Sequence, residues 1–115
     1  MLFFRATINR LESWFEQEIE LAKIPKGSKT PLKAQLEQVY KATGKKPQQL
    51  AELQDPPDEL LYVWRWWKDL RKLDRLTFAE IESWSRLMRI DVSPWEVDLI
   101  MSLDFIYERA VMRNG

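Results

Sequence analysis

Residues 77–96 read TFAEIESWSRLMRIDVSPWE, and a four-residue motif that starts a helix stands at each end of this stretch. The first motif contains Thr77 and Glu80, and the second contains Ser93 and Glu96. In such a capping box the hydroxyl accepts a hydrogen bond from the backbone N–H of the third helical residue, while the glutamate reaches back to the N–H of the cap. Two boxes this close together predict consecutive helices at about 78–89 and 94–112.

A further helix is predicted before this stretch, from Pro57 to about Leu73. Proline fits the first helical position, and Asp58 and Glu59 place carboxylates at the positive end of the helix dipole. Because the connections are short, we expect residues 55–115 to form a compact unit of three helices.

The N-terminal part, residues 1–54, is predicted to form a helix pair and a linker. Apolar residues recur at spacings of three and four over residues 4–23, which is typical of one amphipathic helix. Thr30 can cap the second helix, with Pro31 at its first position and Gly44 at its end. Pro47 can open a short additional turn. The chain is therefore predicted to be one all-α domain, residues 1–115, of about five helices, with the three-helix unit packed on the N-terminal pair.

The composition argues against an enzyme. Among 115 residues there is no histidine and no cysteine, which removes the usual triads and the thiolate or imidazole metal sites. Asp104 and Glu108 stand four residues apart and could flank a substrate or bind a cation, but a solvated helix face is the favoured interpretation. We expect no catalytic residue, no metal and no cofactor.

A run of lysines marks residues 23–46, which contain seven lysines and a single glutamate. Nucleic-acid binding would need arginine or aromatic side chains among them, and only Tyr40 is near, so a solvated basic face is favoured and nucleic acid is an unexpected partner. The sequence has neither a leader-like start nor an apolar run of membrane-spanning length, which predicts a cytoplasmic protein without membrane contact.

The aromatic run from Tyr62 to Trp67 gives its helix two apolar sides. Leu60, Val63, Trp64, Trp67 and Leu70 share one side, whereas Tyr62, Trp66 and Leu73 lie on the other. Two interpretations stay open at this point. Either both sides are covered within the domain, or Tyr62 and Trp66 help to bind a partner, since such side chains dominate binding hot spots.

The last helix also carries a second stripe, formed by Val97, Met101 and Phe105 beside the main stripe that begins at Trp95. This second stripe must meet the N-terminal helices, another copy of the chain or a different protein. The middle helix is interpreted differently, with Trp84 in the interior together with Phe78, Ile81, Leu87 and Met88. The predicted partner-binding residues are thus Tyr62, Trp66, Leu73, Val97, Met101 and Phe105.

The order of these elements, the aromatic run, the two capping boxes and Asp104 to Tyr107, resembles tail assembly chaperones of long-tailed bacteriophages. The resemblance covers about residues 57–110 and is closest to the small C-terminal or frameshift-encoded module of that group. It implies that the matching aromatic residues are mostly structural anchors, namely Trp64, Trp67, Trp84, Trp95 and Tyr107. It also implies a non-enzymatic protein of the host bacterial cytoplasm, which binds the tape measure protein and assists tail tube assembly.

Two other functions stay open on the sequence alone. A small phage protein that inhibits or redirects a host factor would use the same exposed aromatic side chains on one target. An accessory protein that binds nucleic acid would use the lysines of residues 23–46. Gel mobility shifts that depend on salt would identify the latter.

Overall fold

Helix packing in the computed structural model, which describes residues 2–113, is centred on the last helix. The helices are α1 (Leu2–Ala22), α2 (Leu32–Thr43), α3 (Gln48–Ala51), α4 (Leu61–Leu70), α5 (Phe78–Met88) and α6 (Pro94–Arg113), with a 3₁₀ turn at Asp58–Leu60. Helices α1 and α4 both pack against α6, and α5 packs against α4. No strand occurs in the described part of the chain, so the all-α prediction is confirmed.

The hydrophobic core lies between α1, α4 and α6. Leu11, Val63, Ile100 and Leu103 are completely inaccessible to solvent, and they come from all three helices. The same cluster of buried side chains also includes Leu60 of the 3₁₀ turn, Leu76 of the loop before α5 and Ile81 of α5. Helix α6 therefore packs against two different helices of the same chain, α1 and α4.

Helix α4 begins later and ends earlier than predicted. A 3₁₀ turn at Asp58–Leu60 takes the place of the predicted first turn, and the last residue of α4 is Leu70 rather than Leu73. The backbone becomes extended at Arg71, with φ −72° and ψ 121°. The side chain of Arg71 contacts Asp104 and Glu108 of α6. These contacts turn the chain away from the helix axis.

Both predicted capping boxes lie at helix starts, and each forms one of the two expected hydrogen bonds. Thr77 Oγ1 accepts from the backbone N–H of Glu80 at 3.2 Å. The backbone N–H of Ser93 donates to Glu96 Oε1 at 2.8 Å. In the first box the Glu80 carboxylate lies 3.2 Å from the Thr77 hydroxyl instead, so it accepts from the side chain of the cap.

Helix α2 starts differently from the prediction, because Pro31 takes the cap position itself and Thr30 lies outside the helix. The end is as predicted, since Gly44 is left-handed at φ 73° and donates its N–H to the carbonyl of Tyr40. Glycine suits this position because a side chain would strain a positive φ. The short extra turn after Pro47 is present as α3.

The N-terminal pair joins the core unequally. Ile8, Leu11, Trp14 and Phe15 of α1 belong to the central cluster, whereas α2 has no buried residue. The side-chain amide of Gln17 ties the chain after α3 to α1, because it donates to the carbonyl of Glu52 and accepts from the N–H of Gln54. Helices α2 and α3 thus form an arm, residues 23–56, beside the core.

Candidate protein-binding surface

A buried carboxylate fixes the turn between α4 and α5. Asp104 is only 4% exposed, and it accepts hydrogen bonds from Trp67 Nε1 at 3.0 Å, Arg71 Nη1 at 2.8 Å and the backbone N–H of Leu76 at 2.9 Å. The interpretation of Asp104 as part of a solvated face is therefore wrong. Asp104 is four residues after Ile100 and three before Tyr107, so it shares their side of α6. This spacing was the feature of the sequence that could have indicated its burial.

Arg71 carries the positive charge that this carboxylate needs. Its other terminal nitrogen donates to Glu108 Oε1 at 2.5 Å, and its guanidinium lies 4.9 Å from the centre of the Tyr107 ring. Burial lowers the pKa of Arg71, but hydrogen bonds to Asp104 and Glu108 outweigh burial and raise it overall. The two carboxylates that spacing alone could assign to acid–base chemistry are thus bound to one arginine.

A row of aromatic rings joins α4 to α5. Tyr62 and Trp66 meet edge to face at 4.9 Å between ring centres, and Trp66 meets Trp84 of α5 at 5.5 Å. The hydroxyl of Tyr62 donates to Glu96 Oε2 at 2.6 Å. Burial, followed by the hydrogen bond to Glu96 and its negative charge, raises the pKa of Tyr62 above its ordinary value.

The aromatic row is half-buried between helices of the same chain. This position agrees with the interpretation that both sides of α4 are covered within the domain. A direct role of Tyr62 and Trp66 in binding a partner stays a prediction.

The other aromatic residues of the family pattern contact α1 or the core. Trp67 is buried, with Phe15 at 4.9 Å and Tyr107 at 5.3 Å between ring centres. Trp64 meets Trp14 of α1 at 5.0 Å, and Trp95 meets Phe4 at 4.7 Å. These edge-on pairs connect α1 to the C-terminal helices.

Helix α5 leaves most of its apolar side chains uncovered. Ile81 is buried as predicted and Trp84 is half-buried, but Phe78 is 64% exposed, Leu87 81% and Met88 61%. The prediction of an interior position for Phe78, Leu87 and Met88 is wrong. The physical reason is that α5 lies at the edge of the molecule, where α4 covers one side of it and leaves the rest open.

The second stripe of α6 is covered unevenly. Val97 and Met101 are half-buried against the core, whereas Phe105 is 62% exposed, with the Arg109 guanidinium 5.6 Å from its ring centre. Leu73 is 91% exposed in the loop after α4, so its predicted place on the helix beside Tyr62 and Trp66 is wrong. The helix ends before it because Arg71 turns the chain toward Asp104.

Among the described residues of this half, the large apolar side chains that are more than 60% exposed are called the C-terminal apolar set: Leu73, Phe78, Leu87, Met88 and Phe105. They come from α5, from α6 and from the loop that Asp104 and Arg71 hold in place. Leu73 and Phe105 belong to the partner-binding residues predicted from the sequence. Phe78, Leu87 and Met88 were missed because their helical spacing to Ile81 and Trp84 is also the spacing of a core helix.

The described residues contain neither a candidate membrane span nor a candidate metal-binding group. Across residues 2–113, no helix has both the length and the apolar character needed to cross a bilayer. That same part of the chain holds no grouping of three or more acidic side chains with the geometry of a metal site.

Comparison with known proteins places the chain by its sequence. Residues 39–109 match the model of a family described as phage tail assembly chaperone. The match covers α4, α5 and α6 except for the end of α6, and it begins within α2. No curated protein and no solved structure matches the chain.

Proposed function

Because this chain belongs to the phage tail assembly chaperone family, we propose that it binds the tape measure protein and keeps that protein soluble while the tail is built. A role in tail assembly follows from the family itself. The identity of the client, the recruitment of tail tube subunits and the location in the host bacterial cytoplasm are parts of the proposal.

The C-terminal apolar set is the observation that carries the proposal. Leu87, Phe78 and Phe105 each expose more than half of a large apolar side chain. Such side chains gain about 25 cal/mol for each Å² of apolar surface that a partner removes from water. A long amphipathic helical client offers the matching surface, because its apolar face can lie against these side chains.

The rigid support behind this set makes it suitable for binding. Asp104 holds Arg71, Trp67 and the N–H of Leu76 together, and the loop that carries Leu73 starts and ends at these contacts. The aromatic row holds α5 through Trp66 and Trp84. Side chains on a fixed scaffold lose less conformational freedom when a client binds, which favours affinity.

We propose that this action is non-enzymatic. The two carboxylates of α6, Asp104 and Glu108, both form ion pairs with the guanidinium of Arg71. A general acid or base needs a carboxyl group that can reach a substrate. Asp104 is buried among its three donors and faces no open surface.

Co-expression with a fragment of the tape measure protein tests the proposal. We expect the wild-type chain to keep the fragment soluble and to co-purify with it. Leu87→Glu places a charge in the C-terminal apolar set, at a position that is 81% exposed, and should reduce the co-purified fragment about tenfold, equal to a loss of about 1.4 kcal/mol. Val39→Glu is the matched control, an exposed apolar residue on α2, and should leave the yield unchanged.

Two results would contradict the proposal. In the first, the fragment stays insoluble with the wild-type chain although the chain is folded by circular dichroism. In the second, Leu87→Glu and Val39→Glu behave alike. A host protein captured in place of the fragment, with the same dependence on Leu87, would show instead that the chain acts on a host factor.

A further inference from the structure

The arm, residues 23–56, is held against the rest of the molecule by few side chains. Helix α2 has no buried residue. Its side chains are half-buried over residues 32–36 and exposed over residues 37–43. The arm also contributes no residue to the central cluster. The contact of α2 with α1 is therefore confined to the beginning of α2.

Two buried leucines lie outside the central cluster, one on α1 and one on the arm. Leu21, near the end of α1, is 4% exposed, and Leu50 of α3 is 9% exposed. Neither belongs to the cluster between α1, α4 and α6. Leu21 faces the arm, because it lines one cavity with Leu32 and Gln49 and another with Ala34. The arm thus covers an apolar side chain that the core does not cover.

The packing on both sides of Leu21 is loose. A cavity of about 400 Å³, lined by Glu20 among others, lies on one side, and a cavity of about 430 Å³, lined by Glu18, lies on the other. Well-packed protein interiors contain few gaps larger than a water molecule. Two openings of this size show that few atoms of the arm touch α1, so few contacts are lost when the two separate.

The polar contacts between the arm and α1 are exposed or local. The side-chain amide of Gln17 donates to the carbonyl of Glu52 at 3.1 Å and accepts from the N–H of Gln54 at 3.2 Å. Both hydrogen bonds are exposed to solvent, where water can replace them at little cost. The ion pair of Lys23 with Glu20, at 2.7 Å, joins residues three positions apart. It can persist when the arm moves.

Both ends of the arm are attached to parts of the molecule that stay in place. The arm begins directly after Ala22, the last residue of α1. It ends before Pro57, whose side chain is fully buried. A segment fixed at both ends and weakly held between them can leave α1 and return without unfolding the core.

We propose that the arm opens from α1 as one unit while the core stays folded. Opening uncovers Leu21 and moves Leu50 away from α1 together with α3. The arm is thus a cover, and the apolar surface at the end of α1 is available only in the open form. Segments with few buried apolar contacts open at a lower free energy than the core, and moving elements are drawn from such segments. The inference goes beyond the proposed function and does not depend on it, because the C-terminal apolar set is elsewhere.

The reaction of a single introduced thiol tests the inference on the full chain. The chain has no cysteine, so Leu21→Cys places its one thiol beneath the arm. Leu103→Cys is the matched control, because it makes the same change at a core side chain with no exposed surface. With an excess of a colorimetric disulfide reagent, Leu21→Cys should react at least about 100-fold faster than Leu103→Cys. Circular dichroism checks that both variants are folded.

A second substitution tests whether α2 and α3 move together. Leu50→Ala removes most of the buried side chain of α3 and should speed the reaction of the Leu21→Cys thiol about tenfold. Leu73→Ala is the matched control, because it makes the same change at a side chain outside the arm that is 91% exposed. This control should leave the rate unchanged.

Native-state hydrogen exchange measures the opening in the wild-type chain, where no contact is altered. In urea below the unfolding midpoint, the hydrogen-bonded amides of α2 and α3 should be protected at least about 100-fold less than those at the centre of α6. Their exchange should also depend less on urea, because opening of the arm exposes less surface than unfolding of the whole chain.

Three results would overturn the inference. Equal reaction rates of the two thiols, with equal dependence on urea, would show that the arm opens only when the whole chain unfolds. A Leu21→Cys thiol that does not respond to Leu50→Ala would show that α2 frays by itself. Equal protection and equal urea dependence of the amides in α2 and α6 would show that the arm and the core unfold as one unit.

Discussion

Helices α2 and α6 both carry apolar residues at helical spacing, Leu32, Leu36, Val39 and Tyr40 in the case of α2, but the fold places the two helices in opposite environments. Helix α6 lies between α1 and α4, and its residues Ile100 and Leu103 have no exposed surface. Helix α2 packs against α1 and α3 at the edge of the molecule and has no buried residue. An apolar stripe therefore predicts that a helix forms, whereas the connections of the chain decide whether the stripe is covered.

The two regions also differ in how their polar groups are used. In the core, Asp104 and Glu96 are buried and accept hydrogen bonds from residues more than 25 positions away in the sequence. In the arm, hydrogen bonds are mostly local, as between Gln35 and Ser28 at 2.6 Å and between Thr43 and the carbonyl of Val39 at 2.8 Å. Long-range polar contacts fix tertiary structure, whereas local contacts fix only a helix or a turn.

The largest loss of unfolding free energy should come from Asp104→Ala in the core. This change leaves the Arg71 guanidinium, the Trp67 indole N–H and the Leu76 N–H without their acceptor, and breaking a buried pair in this way costs about 3–5 kcal/mol. Urea denaturation measures the free energy of unfolding. Asp98→Ala removes an exposed carboxylate from the same helix and should change it by less than about 0.5 kcal/mol. Similar effects of the two substitutions would contradict the account of the Asp104 cluster.

The aromatic row should give the next largest effect. Trp66→Ala and Trp84→Ala each remove a half-buried indole and should destabilise the fold by about 2–3 kcal/mol, somewhat less than a fully buried tryptophan. Because the rings touch, the double variant should lose less than the sum, with a coupling of about 0.5–1.5 kcal/mol. Thermal denaturation of the four proteins measures the cycle. Strict additivity would show that the two rings do not support each other.

A smaller loss is expected for Tyr62→Phe, which removes the hydrogen bond to Glu96 and should cost about 1–2 kcal/mol near neutral pH. The raised pKa of Tyr62 gives this loss a dependence on pH. The folded state holds the phenol proton more tightly than the unfolded state, so its contribution is complete below the ordinary pKa of 10.0 and is lost as pH rises beyond it.

The pH dependence is measured as the difference in unfolding free energy between the wild-type chain and Tyr62→Phe from neutral pH to about pH 11. The difference should shrink once the pH passes 10.0, the ordinary pKa of tyrosine. The subtraction removes the titration of the lysines, which both proteins share. A difference that stays constant across this range would contradict the raised pKa of Tyr62, which burial and then the hydrogen bond to Glu96 produce.

The smallest effect should be found on α2. Val39→Ala removes two methyl groups from a side chain that is already 48% exposed, so we expect a change below about 0.5 kcal/mol. Val63→Ala removes the same two methyl groups from a side chain in the core that has no exposed surface, and should cost about 1.5–3 kcal/mol. Chemical denaturation of this matched pair compares the arm with the core directly. Equal losses would show that α2 is covered after all.

The sequence predicted helices better than it predicted their surroundings. The helix starts at Thr77 and Ser93 and the helix end at Gly44 depend on local chemistry, which a single stretch of sequence contains. The end of α4 at Leu70 depends on Asp104, which lies 33 residues after Arg71. No local pattern around Arg71 reveals that partner, and the predicted helix therefore continued to Leu73.

In the candidate site, too, local sequence predicts apolar stripes but does not predict which of them the fold covers. Phe105 was assigned to a second stripe of α6 that could meet the N-terminal helices, another copy or a different protein, and the structure leaves it 62% exposed. Leu87 and Met88 were predicted as interior because one more stripe on α5 resembled a core stripe. Whether such a stripe is covered depends on where α5 lies relative to α4 and α6, and this is a property of the whole fold.

Hydrogen exchange of the full chain, with and without the tape measure fragment, tests the central claim most directly. We expect the fragment to slow exchange of the backbone amides in α5 and in α6 around Phe105, with little change at the centre of α1, which the core already protects. Slower exchange in the C-terminal helices would support binding through the C-terminal apolar set. A fragment that binds without changing exchange in α5 or around Phe105 would contradict it.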